Sequence, residues 1–191
     1  MRGWENNSIP ETATDAETVK NVRSILSNYG GPFGSALEIG AGVGRLVREM
    51  KKQFDYVVGV DISQALVDKS KEYLDSCSCR VLKGDGRYLS LTSDQFDFVY
   101  SYVTFQHMYE LETIRTNISE TFRVLKPGGI CRIQTVKGVS NTSENDDGIH
   151  RSYLFEDEKD FAQLFREVGF VADVVLGPDY FKYIWVTGQK P

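Results

Sequence analysis

Three glycines at alternate positions, in Leu37-Glu38-Ile39-Gly40-Ala41-Gly42-Val43-Gly44-Arg45, constrain this chain more than any other feature. An apolar run from Ser35 to Ile39 enters them, and a segment of helical spacing from about Arg45 to Lys52 leaves them. Glycine weakens a strand and is a poor helix former, so neither element extends comfortably through such a run. The chain must turn there from strand into helix, using backbone conformations that a Cβ disfavours. A strand, a turn and a helix in succession begin a βαβ unit, which implies a parallel sheet.

The rest of the chain repeats that alternation. Strands are expected at Ser35–Ile39, Tyr56–Val60, Arg80–Lys83, Phe96–Val103, Ile130–Val136, Phe170–Leu176 and Phe181–Thr187. Between them, Ser63 is placed to cap a helix running to about Asp75, and Leu111, Ile114, Ile118, Phe122 and Leu125 recur at helical spacing. Lys126-Pro127-Gly128-Gly129 is expected to end that helix, and a last helix spans about Glu156 to Val168. Val139 to Arg151 is polar and reads as an exposed loop. The last two strands are joined only by Gly177-Pro178-Asp179-Tyr180, too short for a crossover, so they must pair antiparallel. The expectation is an α/β doubly wound sheet of seven strands, mostly parallel with the last strand antiparallel. At 191 residues the chain is read as one domain, with 1–33 as an N-terminal helical cap and 34–191 as the core. The cap would hold an amphipathic helix over Thr14–Tyr29.

Composition narrows the partners. A net charge of −5, with no Lys/Arg run, argues against a broad phosphate-binding face and hence against a nucleic-acid partner. The cysteines are Cys77, Cys79 and Cys131; the first two form a lone C-x-C without a second pair or a nearby His, so no metal site is expected. Reduced thiols, no apolar stretch of membrane-spanning length and no signal-like hydrophobic run in Met1–Pro10 together suggest a cytoplasmic protein.

Candidate site residues gather at the ends of strands. Gly40 and Gly42 would let a ligand approach the backbone, and the helix behind them presents N–H groups and a positive dipole end. The dinucleotide pattern is G-x-G-x-x-G, whereas this run is G-x-G-x-G with Arg at 45, and an acidic residue, Glu38, precedes it. That suits a ligand with a cationic amine and sulfonium better than a pyrophosphate. The loop alone is equally compatible with a merely structural turn. Asp61 ends the second strand about 20 residues on, where a carboxylate can accept ribose hydroxyls. Asp85-Gly86 follows the third strand at the same edge.

With those residues in place, the sequence over about Ala36 to Gln189 resembles the class I S-adenosylmethionine-dependent methyltransferase superfamily, in its small-molecule branch. The resemblance rests on the glycine loop, Val60-Asp61-Ile62-Ser63, Gly84-Asp85-Gly86, Phe96-Asp97-Phe98-Val99-Tyr100-Ser101 with Gln106-His107, and Leu125-Lys126-Pro127-Gly128-Gly129. It implies a Rossmann-like fold and an S-adenosylmethionine site that releases S-adenosylhomocysteine. Glu38 and the loop Gly40, Ala41, Gly42 and Gly44 would line its methionine part. Asp61 would hold the ribose, Ile62 would pack on the adenine, Asp85 and Gly86 would meet its edge, and Ser101 would lie at the amine. Asp97 looks structural. The partner implied is a small-molecule substrate, methylated on O or N.

Methyl transfer from a sulfonium is an in-line displacement, so alignment and exclusion of water can suffice; a base is needed only for a nucleophile that holds its proton. His107, past the fourth strand, is the candidate base, with packing in its loop as the other reading. Tyr102 and His150 are candidate substrate contacts, and Trp4 with the first helix forms either a lid or a cap on the sheet edge. Two other functions stay open: an NAD(P)-dependent Rossmann oxidoreductase, and a non-catalytic methyltransferase-like partner protein. The glycine spacing, Glu38 and the closing antiparallel strands weigh against the first. The intact loop and Asp61 weigh against the second.

Overall fold

The structure, a computed structural model, describes residues 15–74, 78–138, 153, 155–176 and 183–191. Chain order is α1 (Asp15–Ile25), β1 (Ser35–Ile39), α2 (Arg45–Met50), β2 (Tyr56–Asp61), α3 (Gln64–Tyr73), β3 (Cys79–Lys83) and β4 (Phe96–Ser101). A 3-10 turn at Phe105–His107 leads to α4 (Leu111–Val124), β5 (Leu125–Val136), α5 (Glu158–Val168), β6 (Val171–Leu176) and β7 (Tyr183–Gln189). Seven strands form one sheet in the order β3-β2-β1-β4-β5-β7-β6. β1 to β5 pair in parallel, and β7 lies antiparallel between β5 and β6. The expected architecture is therefore present, closing antiparallel pair included.

Strand alternation divides the core between the two faces. Leu37, Ile39, Val58, Val60 and Val99 pack under α4 and α5, with Ile114, Ile118, Phe161 and Phe165. Ala36, Val57, Phe98 and Tyr100 face the other way, toward Val22 and Ile25 of α1, Val47 and Met50 of α2, and Val67 of α3. Cys131 is buried in this core, and burial pushes its thiol up to about 12; Cys79 is buried as well. Cys77 lies outside the described residues.

Of the boundaries that differ from the sequence reading, three bear on the site or on the sheet beside it. α1 ends at Ile25, and the chain leaves through Asn28 at φ 66 rather than continuing as helix to Tyr29. β4 stops at Ser101, because Val103 takes φ 56. β5 begins at Leu125, directly after α4, so Lys126-Pro127-Gly128-Gly129 is an irregularity inside a strand and not a loop before one. The Gly128 N–H donates to the Lys190 carbonyl at 2.8 Å, and the Lys190 N–H donates to the Gly129 carbonyl at 2.9 Å. The tail after β7 thus supplies the ladder bonds that make those glycines strand-like. Asp97 is structural as expected: it accepts from the Ser35 N–H and hydroxyl and pairs with Lys126 at 2.8 Å.

Gly59, at the centre of β2, is where the fold makes room for the glycine loop. A Cβ there would overlap that of Ala41 and crowd Val47 at 3.0 Å and Val81 at 3.1 Å. Gly59→Ala should therefore destabilise the chain by about 1–3 kcal/mol through overpacking, read as a lower denaturation midpoint. An unchanged midpoint would show that Ala41 yields freely and that β2 does not constrain the loop.

Candidate functional site

The strand order reverses between β1 and β4, so the loops after these two strands leave in opposite directions and open a crevice at their carboxyl ends. The glycine loop forms one wall. Gly40, Gly42 and Gly44 all have positive φ, at 80, 57 and 88 degrees. A Cβ on Gly40 would overlap the Thr104 side chain, and one on Gly44 would lie 2.9 Å from Leu74, so these two glycines answer to the protein's own packing. At Gly42 nothing among the described residues comes within 4 Å of that position.

Asp61 at the end of β2 joins the loop to the next helix. One carboxylate oxygen accepts from the Gly42 N–H at 2.7 Å and the other from the Ser63 N–H at 2.8 Å. Ser63 caps α3 as expected, accepting from the Leu66 N–H at 3.3 Å. Ile62, between these two, is 68% exposed, an unusual position for isoleucine beside a crevice. Its Cγ2 lies 3.1 Å from where a Cβ on Gly86 would stand. Asp85 is exposed, and the backbone N–H groups of Arg87 and Tyr88 bind its carboxyl, at 2.8 and 2.7 Å, and hold it below the usual range. Gly42, Asp61, Ile62, Asp85 and Gly86 thus share one edge of the sheet. Together they offer two carboxylates and an apolar face.

Glu38 is placed differently from the loop it precedes. It is 2% exposed and faces the α1–α3 side, where it accepts the Tyr100 hydroxyl at 3.2 Å and the backbone N–H of Val47 in the first turn of α2. Burial, with Asp61 nearby, pushes its carboxyl up to about 8 against the opposing pull of Tyr100, Arg45 and Val47. Ser101 is also fully buried, and its hydroxyl donates to the Ile39 carbonyl at 2.8 Å, tying β4 to β1 at the reversal point. The side chains of Glu38 and Ser101 therefore support the loop from beneath.

The opposite wall follows β4. Tyr102 is half-buried; its hydroxyl donates to Asn21 of α1 at 3.2 Å, and its ring stacks on Trp185. Val103 is a β-branched residue with positive φ, a strained conformation. The Gln134 side chain holds it by accepting the Val103 N–H at 3.0 Å. His107 is exposed at the end of the 3-10 turn. His150 and Trp4 lie outside the described residues. Sequence reasoning missed Gln134, Thr104 and Asn117, the last of which donates to the Gly86 carbonyl. Only Asn117 left a signal, as a polar amide between Ile114 and Ile118 on the inward stripe of its helix. Among the described residues no group of His, Cys, Asp and Glu is arranged to hold a metal, and no helix is long and apolar enough to cross a membrane.

A doubly wound sheet with one antiparallel strand inserted near its end, and a glycine loop at the reversal point, define the class I S-adenosylmethionine-dependent methyltransferase fold. Residues 37–133 match the methyltransferase domain family, and the chain belongs to it. It is 31% identical over 120 residues to a sterol 24-C-methyltransferase of Aspergillus fumigatus, covering 60% of this chain and 31% of that protein. It is 27% identical over 160 residues to phosphoethanolamine N-methyltransferase 3 of Arabidopsis thaliana, covering 81% of this chain and 32% of that protein. The chain thus matches about a third of the length of these relatives. The PH0226 protein of Pyrococcus horikoshii superposes with a TM-score of 0.74 at 19% identity, over 95% of this chain and 93% of that one.

The Glu38 environment makes stability depend on pH. Between the ordinary carboxyl pKa and about 8, the folded chain keeps a proton that the unfolded chain has released. Stability must then fall as pH rises through that window. Glu38→Gln, which is neutral throughout, should flatten this decline when urea unfolding is followed at pH about 5, 7 and 9. Parallel pH profiles for parent and variant would refute the buried, protonated Glu38.

Proposed function

We propose that this chain is an S-adenosylmethionine-dependent methyltransferase acting on a small molecule through an oxygen or nitrogen. The observation that carries this reading is the open space over Gly42, bordered by the Asp61 carboxylate and the exposed face of Ile62. Gly40 to Gly44 would receive the methionine part, Asp61 the ribose hydroxyls, and Ile62, Asp85 and Gly86 the adenine. When bound, the cofactor supplies a methyl group already activated on a sulfonium. Glu38 and Ser101 serve that site from below, by fixing α2 and β4 beneath the loop. The named relatives methylate a sterol and a phosphoethanolamine, both small molecules, which supports the substrate class.

The protein's own part in the reaction is to orient the acceptor along the line of displacement and to keep water away, worth up to about 7–11 kcal/mol of the barrier. Val103, strained and pinned by Gln134, gives the β4 wall a fixed shape for that purpose. Tyr102 meets the substrate with its ring edge, since its hydroxyl is engaged with Asn21. His150 is the second substrate contact of this reading. For an acceptor that keeps its proton at neutral pH, His107 is the general base, at the end of the turn that follows β4.

Calorimetry with S-adenosylhomocysteine tests the cofactor. Binding should raise the stability of the parent by about 2.7 kcal/mol at a hundredfold excess over Kd, and Asp61→Ala should weaken binding at least about tenfold. No binding to the parent at millimolar ligand would overturn the function, and an undiminished affinity in Asp61→Ala would overturn the ribose assignment.

For the base, a labelled-methyl screen across small molecules first supplies an acceptor. His107→Ala should then lower kcat by about 10²–10⁴ while S-adenosylhomocysteine still binds. Near-parental kcat across pH in a folded His107→Ala enzyme would leave positioning as the whole mechanism.

A further inference from the structure

The loop after β3 is held from behind by α4, and one of the bonds that hold it differs in kind from the others. Glu120 accepts the Leu89 N–H at 2.8 Å, and Arg123 donates to the carbonyls of Leu89 and Leu91 at 2.9 and 2.8 Å. Arg87 pairs with Glu110 in the open. These contacts brace the loop along its length and away from the crevice. Asn117 instead reaches its crevice end. It is 2% exposed, and its Nδ2 donates to the Gly86 carbonyl at 2.8 Å and to the Thr113 carbonyl at 2.9 Å. Ile114 and Ile118 on the same stripe are fully buried in the apolar core. A buried amide there costs free energy unless its bonds are made, so this side chain is a specific tether and not filler.

Gly86 is the residue that such a tether would need to hold. It has φ 86, it follows Asp85, and its open side stands against Ile62. Fixing the Gly86 carbonyl fixes the planar Gly86-Arg87 peptide unit, and with it the Gly86 Cα that joins that unit to Asp85. The separation between that peptide and Ile62 is then set by a side chain on the opposite face of the sheet from α3, the helix that Ile62 precedes.

We propose that Asn117 is a positioning residue for recognition of the cofactor's base, holding the Asp85-Gly86 segment at the distance from Ile62 at which the edge of the adenine is read. This rests on the placement of adenine between Ile62 and Asp85-Gly86. Asn117 does not touch the ligand; it acts through the Gly86 backbone. Its role is selectivity for the 6-amino group more than affinity, since a site built to accept a ligand N–H rejects an analogue that lacks it only while the acceptor is held in place.

The test compares S-adenosylhomocysteine with S-inosylhomocysteine, which carries a carbonyl oxygen in place of the 6-amino group. The parent should prefer the adenosyl compound by more than about tenfold. Asn117→Asp keeps the shape but removes the donor and sets a carboxylate against the Gly86 carbonyl; it should bind the adenosyl compound more weakly and bring the ratio toward one. Asn117→Ser keeps a shorter donor and serves if the aspartate variant does not fold, with an intermediate ratio expected. Glu120→Gln weakens the Leu89 contact and the ion pair with Arg123 that braces Leu89 and Leu91, without touching Gly86, and should lower stability while leaving the ratio as in the parent. A parental ratio in folded Asn117 variants would overturn the proposal and leave the cofactor reading intact. A parent that binds both compounds equally would overturn the adenine placement and this proposal together, while binding itself would still support the methyltransferase reading.

Discussion

Three consecutive backbone N–H groups of the glycine loop are answered by the last two residues of β2, and the geometry of the crevice depends on that match. Gly40 and Ala41 donate to the Val60 carbonyl at 2.8 and 3.0 Å, and Gly42 donates to the Asp61 carboxylate. A loop bonded this way lies flat across the end of its neighbouring strand, which requires positive φ at Gly40 and Gly42 and an absent side chain at Gly59. Side-chain packing cannot substitute for these bonds, because the loop has almost no side chains to pack. The register of β1 on β2, with Ile39 opposite Val60, brings acceptor and donors into range.

The two other walls of the crevice are held by different means. Beyond β3, the support comes from side chains of α4 that cross to backbone groups of the loop. Beyond β4, a strained Val103 is tied down by Gln134, while Tyr102 is turned toward α1 and Trp185. The wall by the glycines is therefore fixed by local chain geometry, and the other two by contacts far apart in sequence. Cost follows the same division: a buried side-chain tether that loses its partner leaves a polar group unpaired, whereas a backbone turn redistributes its bonds.

What the sequence made legible follows from that division. The strand–loop–helix, the Ser63 cap, the inward faces of α4 and α5, and the antiparallel closing strands all rest on spacings of a few residues. Strand periodicity also places Glu38 on the opposite face from Leu37 and Ile39, beside Tyr100, directly before the glycines. The early start of β5 could not be read, because the partner that makes Gly128 and Gly129 strand-like is Lys190, far along the chain. Val103 was expected in an extended strand, as its β-branched side chain prefers, and tertiary contacts overrode that preference. Gln134 and Thr104 carry no pattern of their own; only the assembled sheet reveals what they touch.

The order of the strands also bears on how the chain can be assembled as it is made. β6 reaches β5 only through β7, although β6 precedes β7 in sequence. On the ribosome, with synthesis at about 5–20 residues per second, β5 and β6 must wait with open edges until β7 emerges to lie between them. An open strand edge invites pairing with other chains. The edge of β5 waits longer than that of β6, and Val171, exposed at the start of β6, lies on the last strand of the sheet. Helix α5 packs on β6 and β7 and covers their face, while the outer edge of β6 pairs with no strand among the described residues.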